Sequence, residues 1–282
     1  MIKRILTAAV LILGIGAGIW LKGPVLRIIL LACMLLSVDE MYRAFMKKGY
    51  APVRWTGYVY CALAVAAQAA KAAWPEGALA RVNPALLSLT AGVMLGMAVV
   101  ILRGKVDFDG MMSTVFPMVY PGLFFSLLLP LQDIRPPMAA TMALVLAFFI
   151  ASVNDTFAMF LGLRFGKHRL SPEISPKKSV EGSAAGMAAS VIFAVLVPVI
   201  CFALAPEADR SAYPPLWAFA LLGAVAGALS QIGDLAASLV KRHCGIKDYG
   251  TIFPGHGGML DRFDGILFCG AATLLFFHLF GM

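Results

Sequence analysis

Long apolar runs alternate along this chain with short polar segments, and this pattern predicts membrane-spanning helices. A helix needs about 20 apolar residues to cross the hydrocarbon core of a bilayer. Two weaker candidate runs lie at 25–38 and 57–70. The stronger candidate runs are 5–21, 85–102, 111–132, 138–154, 182–206, 211–233 and 265–282. The pattern therefore predicts an all-α, polytopic integral membrane helical bundle of about nine transmembrane helices.

The composition agrees with the membrane class. Hydrophobic residues make up 61% of the 282 positions and charged residues only 13%, with a mean hydropathy of +0.86. A water-soluble domain carries about 25% charged residues. The run 5–21 follows Lys3 and Arg4, so a signal peptide is the alternative interpretation. It lacks a small-x-small cleavage site and is followed almost at once by another apolar run, which favours an uncleaved first span.

The basic residues predict the orientation of the spans. If the N-terminus is cytoplasmic and nine spans alternate, 17 of the 23 Lys and Arg residues fall in cytoplasmic segments. This asymmetry is the positive-inside pattern. Topology and attraction to anionic lipids account for the net charge of +8. The sequence contains no folded basic domain of the kind that would indicate nucleic-acid binding. The five cysteines are scattered without a CxxC, which predicts neither a disulfide framework nor a zinc site.

Ionisable residues within or beside the spans concentrate after residue 150, where they are candidates for function. In residues 1–149, Pro117 and Pro121 are expected to kink a helix, and Gly92 and Gly96 to allow close packing. This part is predicted to serve packing, lipid access and dimer formation. Residues 150–282, with cytoplasmic loops 164–182 and 241–264, are predicted to carry the chemistry.

Two polar elements in the second part stand out before its last glycine-rich segment. Asp155 interrupts an apolar stretch, and the alternative to a functional role is a helix end at the membrane interface. Further on, polar side chains recur at helical spacing and form a stripe that leads out of the membrane. The stripe consists of Ser230, Asp234, Ser238, Lys241 and Arg242.

The third polar element is the segment 247–265, KDYGTIFPGHGGMLDRFDG. Asp261 and Asp264 are neighbours if this segment turns helical, and its glycines permit positive φ or a close approach to a ligand. A simple turn is the alternative for PGHGG alone. Carboxylates, cations and glycines together indicate a divalent metal with phosphate, because Mg²⁺ shares oxygen ligands between carboxylates and phosphates. The sequence has no GxSxG motif and no P-loop, which favours nucleotidyl transfer to a phosphate monoester, a reaction that needs no strong general base.

The run SLVKRHCGIKDYGTIFPGHGGMLDRFD (238–264) resembles the signature of the phosphatidate cytidylyltransferases, or CDP-diacylglycerol synthases. That signature is a Ser, then KR, KD, PGHGG and DRxD, and every fixed position is met. Gly233-Asp234-Leu235 is similar to the GDL element of the family. The segment FGKHRLSPEISPKKSVEG (165–182) resembles its upstream loop, although Lys177 replaces a common Gly, and NDTFAM (154–159) replaces an ADSGAY-like stretch.

The resemblance implies a Mg²⁺-dependent enzyme, with one or two cations, that converts CTP and phosphatidate to CDP-diacylglycerol and pyrophosphate. It implies a bacterial inner-membrane protein with its active site facing the cytoplasm, and it suggests a homodimer. The implied metal ligands are Asp234, Asp261 and Asp264. Asp234, Asp261, Lys241 and Arg262 are the expected catalytic residues. The expected substrate-binding residues are Lys178, Arg242, Lys247, Asp248, His256, Gly257, Gly258 and Asp155. The alternatives are a CTP-dependent polyprenol or phytol kinase, which releases CDP, and an ion-coupled transporter.

Overall fold

The computed structural model describes residues 14, 16–74, 82–205, 209–253, 255 and 257–282. The chain is an all-α polytopic membrane protein, and its helices divide into two compact units. The first unit comprises Met1–Pro130 and Val240–Arg262, and the second comprises Leu131–Leu239 and Phe263–Met282. Each unit therefore combines a long continuous segment of the chain with part of the C-terminal signature.

Among the described residues, five long or short α-helices from Gly23 onward form the body of the first unit. They are α1 (Gly23–Lys47), α2 (Arg54–Ala73), α3 (Pro84–Leu102), α4 (Phe108–Pro117) and α5 (Phe124–Leu128). Local signals set the helix starts, because Asn83 caps α3 and the Asp107 carboxylate accepts a bond of 2.7 Å from Gly110 N–H at the start of α4. Between α4 and α5 lies a π-helical segment, Met118–Leu123, and the 3₁₀ segment Leu129–Asp133 follows α5.

Prolines and glycines shape the first unit as the sequence predicts. Pro117 ends α4, and Pro121 lies in the π-helical segment, where Tyr120 has non-helical φ and ψ and marks a kink. Gly92 lies against the Tyr60 ring, since a Cβ on Gly92 would come within 2.9 Å of Tyr60 Cβ. The predicted kink and the predicted close packing at Gly92 are both confirmed.

The second unit contains three long helices, a hairpin and a part of the last helix. The elements are α6 (Pro137–Phe165), β1 (Arg169–Ser171), β2 (Ser175–Ser179), α7 (Val180–Leu204), α8 (Leu216–His243) and α9 (Leu260–Leu279). A short 3₁₀ turn, Arg210–Ala212, precedes α8. The last four residues of α8 and the first three of α9 belong to the first unit.

Small residues let α6 and α7 pack closely. A Cβ on Gly182 would lie 2.5 Å from the Ala158 carbonyl oxygen, and one on Gly186 would lie 2.7 Å from the Asn154 carbonyl oxygen. Small residues at helix interfaces are the usual means of close packing in membranes, where apolar burial alone provides little attraction between helices. The antiparallel hairpin β1–β2 joins these two helices, and the sequence pattern did not predict it.

Six helical stretches in the described part of the chain are long and apolar enough to cross a membrane. They are Pro84–Leu102, Phe108–Asp133, Pro137–Phe165, Val180–Leu204, Arg210–His243 and Leu260–Leu279. They correspond to six of the predicted strong runs. The run 5–21 lies largely outside the described residues, while 25–38 and 57–70 fall within α1 and α2, which are not among the six. The count of nine spans is therefore not confirmed.

Candidate active site

Asp234 in α8 forms an ion pair with Lys178, whose ammonium group is buried. Lys178 lies in β2, so the hairpin between α6 and α7 carries this lysine to the carboxylate. The two side chains are each 24% exposed, and because the Lys178 ammonium is buried, the exposed part of Lys178 is its aliphatic chain. Lys241, further along the same stripe, forms an ion pair with a different carboxylate, that of Asp261.

Two glycines bring α8 and α9 together next to Asp234. A Cβ on Gly233 would lie 2.5 Å from the Asp264 carbonyl oxygen, and a Cβ on Gly265 would lie 2.7 Å from Ser230 Oγ. Any larger residue at either position would push the helices apart. The Asp264 side chain is buried, and its Oδ1 accepts a bond of 2.8 Å from the Gly265 N–H.

Within the first unit, the Asp261 carboxylate is held by three hydrogen bonds. Oδ1 accepts from the Lys241 ammonium at 2.8 Å. Oδ2 accepts from the backbone N–H groups of Tyr249, at 2.8 Å, and Gly258, at 2.9 Å. The Asp261 side chain is only 4% exposed. Since charge-assisted bonds from fixed donors are strong, this carboxylate has a well-defined position at the start of α9.

The glycine-rich turn before α9 requires glycine where the sequence predicts it. Gly255 and Gly257 have φ of 80° and 85°, in the left-handed region that side chains disfavour. The Phe253 N–H donates to the Gly257 carbonyl at 3.0 Å and closes the turn. A Cβ on Gly257 would lie 2.7 Å from Asp261 Oδ2. His256 lies outside the described residues, so its predicted role stays a prediction.

The remaining predicted site residues lie on the surface. Arg242 is at the end of α8, Arg262 is in the first turn of α9, and Lys247 and Asp248 lie in the segment between those helices. All four are exposed. Asp155 is also exposed, on α6. Three of these residues are cations, a placement that suits contact with a phosphorylated ligand.

A buried polar layer connects α6, α7 and α8 in the second unit. The Asn154 amide donates to Ser190 Oγ at 3.1 Å and to the Gly227 carbonyl at 3.0 Å. Gln231 donates to Asn154 Oδ1 and to the Ser183 carbonyl, each at 3.0 Å. Asn154 is fully buried, so these bonds fix how the three helices meet.

Asn154→Leu is expected to destabilise the protein by about 1–2 kcal/mol, because Gln231 and the Gly227 carbonyl each lose a partner inside the membrane. The midpoint of thermal unfolding in detergent measures this effect. Thr156→Val is the control on the same helix, since the Thr156 hydroxyl donates to the Ser152 carbonyl of its own helix, at 2.7 Å. Equal midpoints for the two variants would contradict the role of the buried layer.

The sequence interpretation did not predict the contact that Glu40, in α1, makes with the signature. Its two carboxylate oxygens accept hydrogen bonds from the Met259 and Leu260 N–H groups. The available signal was an acidic residue directly after an apolar run, a costly placement that indicates a partner. The division of roles predicted for residues 1–149 did not include such a contact.

The donor chemistry fits Mg²⁺, although the described residues contain no group of three or more His, Cys, Asp or Glu side chains arranged to hold a metal ion. Mg²⁺ commonly binds through one or two carboxylates and completes its shell with water and substrate phosphates. The three bonds to Asp261 occupy three of roughly four lone-pair positions on a carboxylate. Asp234 is partly exposed, so it also has room for a ligand.

Comparisons with known proteins identify the family of this chain. The model of the cytidylyltransferase family matches residues 2–280, and the chain belongs to that family. It is 38% identical over 162 residues to a phosphatidate cytidylyltransferase of Thermotoga maritima, covering 57% of each chain. It is 33% identical over 185 residues to that of Bacillus subtilis, covering 64% of each. With phosphatidate cytidylyltransferase 5, chloroplastic, of Arabidopsis thaliana it shares 27% identity over 99% of this chain and 72% of the relative. The matches thus span less than two thirds of the two bacterial relatives.

Proposed function

We propose that this protein is a membrane-bound phosphatidate cytidylyltransferase, which transfers CMP from CTP to phosphatidate and releases pyrophosphate. The observation that carries the proposal is the fixed Lys241–Asp261 pair inside a segment that meets the whole signature. Relatives with that name, in bacteria and in a plant, support it.

The reaction requires alignment and charge neutralisation more than proton transfer. A phosphatidate oxygen, already ionised near neutral pH, forms a bond to the α-phosphorus of CTP. The bond from that phosphorus to the oxygen bridging the β-phosphate breaks, and the electron pair leaves with pyrophosphate. The exposed cations Arg242, Lys247 and Arg262 are suited to bind the phosphate oxygens and to neutralise their charge.

The two lysine–aspartate pairs place a cation and a carboxylate at fixed positions before substrate arrives. Lys241 is oriented by Asp261, and Lys178 by Asp234. Because these groups need little reorganisation during the reaction, they stabilise developing charge more effectively than mobile side chains. In this proposal Lys241 and Lys178 contact phosphate oxygens, and Asp248 and Asp155 contribute to substrate binding.

We assign Asp234, Asp261 and Asp264 as the residues that would hold Mg²⁺. When bound, the ion neutralises phosphate charge and assists departure of pyrophosphate. The support is the oxygen-only donor set and the remaining lone-pair capacity of Asp261. The turn at Gly257 and Gly258 leaves no side chain between the backbone and the Asp261 carboxylate. In this proposal Gly257, Gly258 and His256 contribute to substrate binding.

We also propose that the site faces the cytoplasm of a bacterial cell at its inner membrane. The asymmetry of Lys and Arg supports this orientation. The acyl chains of phosphatidate should enter sideways from the bilayer, because moving them into water costs about 0.8 kcal/mol per CH₂.

Labelled CTP tests the proposed reaction directly. Purified protein receives phosphatidate, Mg²⁺ and CTP labelled at either the α- or the γ-phosphorus. We expect α-label in the lipid product and γ-label in pyrophosphate. Transfer of γ-label to lipid with release of CDP would instead identify a lipid kinase. An absence of any CTP-dependent product would overturn the proposal and favour a transporter.

A further inference from the structure

Glu40 joins helix α1 to the signature near the other end of the chain. It lies in α1 and is fully buried. Oε1 accepts a hydrogen bond of 2.9 Å from the Met259 N–H, and Oε2 accepts one of 2.8 Å from the Leu260 N–H. Met259 and Leu260 follow Glu40 by 219 and 220 positions in sequence. Both contacts lie within the first unit.

Two glycines leave the space that the Glu40 carboxylate occupies. A Cβ on Gly250 would lie 2.4 Å from Glu40 Oε1, and one on Gly258 would lie 2.3 Å from the same atom. Neither position therefore accepts a side chain without displacing Glu40 or the turn. Burying a carboxylate is costly unless it is hydrogen-bonded, and here two N–H groups at the start of α9 satisfy it. Those N–H groups lack partners within the helix and carry partial positive charge.

The neighbouring acidic residue, Asp39, makes different contacts from those of Glu40. Asp39 pairs with Arg43 at 2.7 Å and with Arg54 at 2.5 Å, and it accepts a bond of 2.5 Å from the Tyr58 hydroxyl. Asp39 thus takes part in a partly exposed network of side chains on α1 and α2. Glu40 instead bonds to the backbone of the signature, so local charge balance does not explain its position.

The bonds of Glu40 end at the residues next to Asp261. Met259 and Leu260 immediately precede Asp261, and the Asp261 carboxylate in turn accepts from Gly258 N–H and from Lys241. We propose that Glu40 is a positioning residue, which fixes the backbone at Met259 and Leu260 and thereby holds Asp261 and Lys241 in their observed geometry. The effect on turnover rests on the proposed cytidylyltransferase function, whereas the effect on the turn does not.

Glu40→Gln tests this proposal with little change in volume. Glutamine has one acceptor oxygen. Its amide N–H group would therefore face one of the two backbone N–H groups, which would lose its hydrogen bond. We expect faster hydrogen–deuterium exchange in peptides covering 249–262. We also expect kcat to fall roughly 10–100-fold with less than about a threefold change in KM for CTP, because small misplacements of catalytic groups cost rate. Glu40→Asp keeps both acceptors and should recover part of kcat.

Asp39→Asn is the matched control, because it changes the adjacent carboxylate without touching the signature. It should leave exchange in 249–262 and kcat as in the unmodified protein. Unchanged exchange in Glu40→Gln, or equal effects in both variants, would overturn the proposal. So would an unchanged kcat per folded molecule, as a purely structural role predicts. Faster exchange in Glu40→Gln, in a protein that makes no CDP-diacylglycerol, would support the tether and reject the proposed function instead.

Discussion

Asp261→Asn is expected to lower the rate of CDP-diacylglycerol formation by about 10²–10³-fold, the range seen when a preorganised electrostatic group is removed. Asparagine can keep its oxygen at the position that accepts from Tyr249 and Gly258. Its amide N–H group would then face the Lys241 ammonium in place of Oδ1. The change removes the negative charge that orients Lys241 and that we assign to Mg²⁺. Steady-state assays with phosphatidate, CTP and varied Mg²⁺ measure the loss.

Asp109→Asn provides the comparison for this variant. Asp109 is an exposed residue in the first turn of α4, within the same compact unit, and it undergoes the same change in charge. Its activity should equal that of the unmodified protein. The assignment of Asp261 would be rejected if the Asp261→Asn protein, shown to be folded by its thermal unfolding midpoint, kept full activity.

The sequence predicts the membrane helices well because their signal is long and local. A run of about 20 apolar residues has few structures available to it other than a spanning helix. The two-stranded hairpin was not predicted, because strands of three and five residues are too short for a periodic pattern. Helix α1 continues to Lys47, well past the predicted end at 38. The predicted run stopped too early because hydropathy cannot show that Glu40 has a buried partner.

The site was predictable in its residue types but not in its contacts. The signature spacing identified Asp261 and Lys241, whereas the bond from Tyr249 N–H depends on how the intervening turn folds. Sequence pattern favoured Asp155 because a carboxylate in an apolar run is unusual, yet the helix buries the neighbouring Asn154 and exposes Asp155. Asn154 and Asp155 are adjacent in the same polar break of the apolar run, so periodicity alone could not tell which of them faces the other helices.

Asp234→Asn is also expected to lower the rate of CDP-diacylglycerol formation by roughly 10²–10³-fold. Asp234 is the partner of Lys178, and the loss of its charge leaves the buried ammonium group of Lys178 without its counter-ion. The variant thus removes both a proposed metal ligand and the group that orients a proposed phosphate-binding lysine. The same labelled-CTP assay measures the effect, and the thermal unfolding midpoint shows whether the protein remains folded.

A double-mutant cycle tests whether the loss in Asp234→Asn arises through Lys178. If Lys178 and Asp234 act as a unit, Lys178→Met combined with Asp234→Asn should be about as active as Asp234→Asn alone, because paired residues are strongly non-additive. Lys177→Met removes an exposed lysine next to Lys178 in the same strand and should have little effect. Additive losses would show that Lys178 and Asp234 act independently. An equal loss in Lys177→Met would point to the overall charge of the hairpin, because the pair itself is intact in that variant.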